Sequence, residues 1–132
     1  LAKIASGGEL ARTMLALRLV TTEAPPTLVF DEVDAGIGGT TALALAAALA
    51  ELGADHQVLV VTHLPQVAAF ADAQVMIDKQ VDDGRTATRA RMVGGDERTV
   101  ELSRMLSGQP DSDTARRHAE ELLAEAAGRR AR

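Results

Sequence analysis

Leu28-Val29-Phe30-Asp31-Glu32-Val33-Asp34-Ala35-Gly36 is the stretch on which the fold turns. Thr27 to Asp31 is a continuous apolar run, the pattern of a strand buried on both faces. It ends in two adjacent carboxylates. Side chains alternate along a strand, so Asp31 and Glu32 leave its end on different sides and can take separate tasks. One can hold Mg²⁺, directly or through water, because that ion prefers oxygen ligands and keeps part of its water shell. The other can orient or deprotonate an attacking water. An acidic turn after a buried strand has the same composition. The carboxyl ends of parallel strands, however, are where α/β folds bind ligands. Asp34 also reads as a plain turn residue.

Upstream, Ser6-Gly7-Gly8-Glu9 opens a helix that runs to about Thr22, before Pro25-Pro26. Ser6 and Glu9 have the spacing of a capping box. Two glycines in a first turn cost about 1 kcal/mol each against Ala, and a plain cap does not need them. Bare glycines let another molecule approach the backbone, and exposed amides at a helix start suit an anion such as phosphate. Leu10, Met14 and Leu17 share one helix face. Arg12 and Arg18 read as a solvated face.

Downstream, Gly36-Ile37-Gly38-Gly39 reads as a mobile connection, and Thr40 as the cap of a helix to about Leu52 that Gly53 terminates. Gln57 to Thr62 is a second buried strand, and His63 ends it at the same sheet edge. A lone histidine is commonly a satisfied structural residue; here it can also contact a phosphate or place a water. A short helix, Pro65 to Ala71, follows. Gln74–Gln80 and Thr86–Met92 are expected strands joined through Asp82-Asp83-Gly84-Arg85. Glu97 to Leu106 is helical and stops at Gly108. Ser112 or Asp113 caps a last helix with Ala115, Ala119, Leu122 and Ala126 on one face. His118 receives no role. Arg129-Arg130-Ala131-Arg132 suits a helix C-terminus. Strands alternating with helices give an α/β fold with a mostly parallel sheet, flanked by helices, and a late β-hairpin at its edge.

The chain has 132 residues, enough for one domain with a modest core. Aromatic residues make up 2%, so Ala, Leu and Val must fill that core, with Phe30 and Phe70 both expected inside. A net charge of −5 argues against a domain that coats DNA. The absence of cysteine removes any disulfide or thiolate metal site. No apolar run approaches the ~18 residues of a membrane span. Leu1-Ala2-Lys3-Ile4 is not a signal peptide and lacks Met, so the chain reads as a piece of a larger protein. A phosphate-binding P-loop ends in Gly-Lys followed by Ser or Thr. The two lysines, Lys3 and Lys79, follow Ala2 and Asp78, so no P-loop exists here.

Taken together, the motifs resemble the C-terminal half of the P-loop-NTPase heads of ABC type. Ser6-Gly7-Gly8-Glu9 looks like the ABC signature, Leu28 to Glu32 the Walker B strand, Val33-Asp34-Ala35-Gly36 the D-loop, and His63 the switch histidine. More narrowly, they resemble the RecN family of bacterial DNA repair proteins, relatives of the SMC proteins. Lys3 to Leu10, Phe30 to Gly39, Val61 to Ala68, Glu101 to Gly108 and the Ala-rich last helix all carry the likeness, so it covers nearly the whole chain. Ala5 stands where transporters usually carry Leu.

The resemblance implies ATP and Mg²⁺ as cofactors. It implies that Ser6, Gly7, Gly8 and Glu9 form the signature that meets ATP on an opposite head. Asp31 would support Mg²⁺, Glu32 would polarise the attacking water, Asp34 would act at the dimer interface, and His63 would sense the γ-phosphate. The implied partners are a second copy of the head in an ATP-sandwich homodimer, the N-terminal P-loop half of the same protein, and DNA through the intact protein. No membrane partner is expected. Residues 1–132 would be one lobe of a cytoplasmic, nucleoid-associated ATPase in recombinational double-strand-break repair and the SOS response. This piece alone would be inactive. The nucleotide-binding lobe of an ABC transporter and a non-catalytic dimerisation module are the alternatives.

Overall fold

A computed structural model describes residues 6–21, 25–82, 85–109 and 112–130. Helix α1 (Gly7–Val20) precedes strand β1 (Thr27–Phe30), helix α2 (Gly39–Leu52) and strand β2 (Gln57–Val60). Helix α3 (Pro65–Phe70), strands β3 (Gln74–Asp82) and β4 (Arg85–Val93), and helices α4 (Gly95–Ser107) and α5 (Asp113–Arg130) follow.

The architecture is α/β, but its sheets are small. β1 and β2 pair in parallel, with Val29 opposite Leu59. β3 and β4 form a separate antiparallel ladder from Gln74 opposite Val93 to Asp82 opposite Arg85. The expected single sheet with the hairpin at its edge is therefore corrected: among the described residues there are two two-stranded sheets. The hairpin residues Asp83 and Gly84, and the positions before Ser6, lie outside the described residues.

The two buried strands are also corrected. β1 buries Leu28 and Phe30 but leaves Val29 67% exposed, and Leu59 of β2 is 51% exposed. Only one face of the pair is covered by helices, so the apolar side chains divide by strand parity. The covered face joins Leu45 and Leu49 of α2, Phe70 of α3, and Ala119 and Leu122 of α5 in one core. Both Phe30 and Phe70 are buried.

Local signals set the helix ends. Ser6 caps α1 with a full capping box. α2 starts one residue before Thr40, on Gly38, with no side-chain cap. Gly108 closes α4 in the left-handed conformation, φ 73°. The Ser112 hydroxyl accepts from the Ala115 amide at the start of α5, and Ala115, Ala119, Leu122 and Ala126 are all buried. The Leu10–Met14–Leu17 face of α1, by contrast, is open to solvent; the helix packs inward through Leu15 and Gly8.

Candidate functional site

Three loop ends meet beyond the carboxyl ends of β1 and β2. The first is the start of α1. Ser6 N–H donates to Glu9 Oε2 at 2.9 Å, and Glu9 N–H donates to Ser6 Oγ at 3.3 Å. Glu9 is thus engaged in capping its own helix. Helix geometry leaves the Gly7 and Gly8 amides without intrahelical acceptors.

The second is the turn after β1. Glu32 has φ 57°, the single non-glycine residue in the left-handed region among the described residues. That conformation costs on the order of 1 kcal/mol or more, and such residues gather at functional sites. Ala35 N–H donates to Glu32 O at 3.0 Å, and Gly36, φ 73°, lets the chain leave the turn. Asp31 and Glu32 are both exposed.

α1 sits tightly on this turn. A Cβ on Gly7 would lie 2.8 Å from Glu32 Oε2, and one on Gly8 would lie 2.9 Å from both Glu32 O and Ala35 Cβ. The neighbour these glycines admit is this chain's own turn. Arg12 completes the clamp: its Nη1 donates to Val33 O at 3.1 Å and Ala35 O at 2.9 Å. Arg12 is therefore no member of a solvated face. Gly8 and Arg12 stand four apart on one side of the helix, the signal that connects them.

The third is the end of β2. Asp34 is 3% exposed, and its Oδ2 accepts from Thr62 Oγ1 at 2.5 Å and from His63 N–H at 3.0 Å. The His63 Nδ1 lies 3.1 Å from the same oxygen, while 74% of the His63 side chain is exposed. Thr62 Oγ1 accepts from Leu64 N–H at 3.0 Å, fixing the hydroxyl between strand and loop. In the sequence Thr62 stands only as the end of a strand, with no role assigned to it; a threonine just before a histidine, able to bond two residues on, is the signal for one.

The structure thus links Ser6–Glu9 to Glu32 and Ala35 through the glycine contacts and Arg12, and links Asp34 to His63. Among the described residues no three His, Asp or Glu side chains converge on a metal. Asp31 has no hydrogen-bond or ion-pair partner among them. A single open carboxylate suits Mg²⁺, which takes one or two carboxylates and completes its shell with water and phosphate.

No protein-family model matches the chain. It is 56% identical over 125 residues to DNA repair protein RecN of Streptomyces coelicolor, covering 93% of this chain and 22% of that protein. It is 54% identical over 124 residues to RecN of Deinococcus radiodurans, covering 94% and 22%. RecN of Bacillus subtilis is 44% identical over 128 residues, covering 96% and 22%. The chain therefore spans 22% of the length of these relatives, and over more than nine-tenths of its own residues it is RecN-like sequence.

Proposed function

We propose that this chain carries the signature, Walker B and switch-histidine part of an ATP-hydrolysing head in a RecN-type DNA repair protein. The observation that carries the reading is the shared edge, where the amide end of α1, the strained carboxylate turn and a histidine held by Asp34 stand together.

In this reading Ser6, Gly7 and Gly8 present amides and a hydroxyl to a phosphate of ATP held by a second head. Asp31 holds Mg²⁺, which when bound neutralises phosphate charge. Glu32 accepts a proton from, or orients, the attacking water. His63 faces the γ-phosphate. The four acidic side chains Glu9, Asp31, Glu32 and Asp34 repel a polyphosphate unless cations are added. The reading therefore requires the metal and a P-loop lysine from the N-terminal half. ATP-driven pairing of two heads would then act on broken DNA through the intact protein.

The test mixes this chain with a separately expressed P-loop-bearing half and measures ATP hydrolysis with and without DNA. The chain alone stays at background. Activity appears in the mixture, rises with DNA, and is lost with Glu32→Gln, which instead accumulates ATP-bound dimers of the intact protein. Metal-dependent turnover by the pure chain, or normal turnover by the variant, contradicts the assignment. A complex of the two halves without activity would favour a dimerisation module.

A further inference from the structure

We infer that Asp34 is a positioning residue for His63 within the same head, and that it holds the imidazole with its proton on Nδ1. The inference rests on the reading of His63 as the phosphate-facing group, but its first measurement does not depend on it.

Asp34 is nearly buried, and one oxygen of its carboxylate accepts from Thr62 Oγ1 and from the His63 main-chain N–H, with the His63 ring nitrogen Nδ1 3.1 Å from the same oxygen. Two of these three groups belong to His63 itself. The main-chain bond, 3.0 Å long, fixes where the residue leaves β2; the ring contact, at 3.1 Å, sets Nδ1 against the carboxylate. A carboxylate beside Nδ1 favours the tautomer that carries the proton there. Nε2 then keeps its lone pair on the far side of the ring. In the neutral ring it is an acceptor, able to take a hydrogen bond from water; it donates to a phosphate oxygen only when the ring is protonated.

The burial of Asp34 bears on its other expected role. A carboxylate that is 3% exposed and engaged by Thr62 and His63 has little surface left for a partner head. Its effect on an opposing ATP would pass through His63. Thr62 serves the same end, because its hydroxyl bridges Asp34 and the Leu64 amide and so ties the β1 turn to the loop after β2.

The test uses the intact protein with ¹⁵N-labelled histidine, the His63 signal being identified by its loss in His63→Gln. The spectrum is read at a pH where the His63 ring is seen to be neutral. There the ring should show a protonated Nδ1 and an unprotonated Nε2, without any nucleotide. In Asp34→Asn the signal should move toward protonated Nε2. The kcat for ATP should fall about tenfold to a hundredfold with little change in KM, the size of loss a misplaced catalytic group causes. If Asp34→Asn does not fold, the wild-type spectrum still decides. An Nε2-protonated neutral ring in the wild type overturns the inference, as does a tautomer unchanged by Asp34→Asn. An Nδ1-protonated ring in a protein that hydrolyses no ATP would uphold the positioning role and sink the ATPase reading instead.

Discussion

A methyl group added at Gly8 would meet the Glu32 carbonyl oxygen and the Ala35 Cβ at 2.9 Å each, with Arg12 Nη1 at 3.1 Å. The carbonyl oxygen is backbone and cannot swing away. At Gly7 the added methyl meets only Glu32 Oε2, the far end of a flexible side chain. The two glycines, equivalent in sequence, therefore differ in what they do. Gly8→Ala should cost about 1–3 kcal/mol through overpacking. Gly7→Ala should leave stability unchanged or raise it by up to about 1 kcal/mol, since Ala is the better helix former. It should still lower ATP turnover in the intact protein, because it displaces the Glu32 carboxylate. Urea unfolding and steady-state hydrolysis on both variants check this; equal losses of stability would show that α1 does not pack on the turn as described. The sequence showed that a plain cap did not need two glycines. It did not show what approached them, because the neighbour lies more than twenty residues away in the chain.

α4 is fastened to the rest of the fold by polar contacts that hydrophobic periodicity does not register. Arg98 Nη2 donates to the carbonyls of Ala68 at 2.9 Å, Ala69 at 3.2 Å and Ala71 at 2.7 Å. These are end groups of α3, a helix of six residues that has few bonds of its own. A cation placed there satisfies them and complements the helix dipole. Arg98→Met keeps much of the stem and removes these bonds, so it should destabilise by about 2 kcal/mol. The loss should appear as faster hydrogen exchange in residues 65–71; unchanged exchange would remove Arg98 from the support of the loop that carries His63. Further along α4, Arg104 grips the buried Glu101 carboxylate through two bonds of 2.7 Å. That hydrogen bond raises the Arg104 pKa above the ordinary arginine value. A cation with a raised pKa stabilises below its ordinary value, so the pair contributes throughout the neutral range. The elements themselves were legible because their signals are local: the capping box, the Gly108 stop, the alanine stripe of α5. Which face α1 would bury was not, because that depends on partners distant in sequence. Its Leu10–Met14–Leu17 stripe is open.

At the scale of the whole molecule, that stripe continues onto the sheet. Met14 and Val29 line one groove between α1 and β1, and Val29 pairs with Leu59 across the parallel ladder. Val61, 62% exposed, extends the strip along the chain from β2. A two-stranded sheet with one face bare is marginal by itself. Contiguous apolar surface on a folded chain usually marks a place where something binds. The proposed head supplies a candidate, the P-loop-bearing half, since the chain spans 22% of its relatives' length. Two consequences follow from covering this face with protein. The chain alone should self-associate as its concentration rises. The double change Val29→Lys and Leu59→Glu places opposite charges at directly paired positions, which a solvated face tolerates and a packed interface does not. It should suppress self-association in sedimentation while the circular dichroism spectrum stays the same, and it should abolish reassembly with the P-loop half. A charged double variant that still restores full ATP hydrolysis in the mixture would show that the two halves meet elsewhere, and that the bare face of β1 and β2 belongs to another partner.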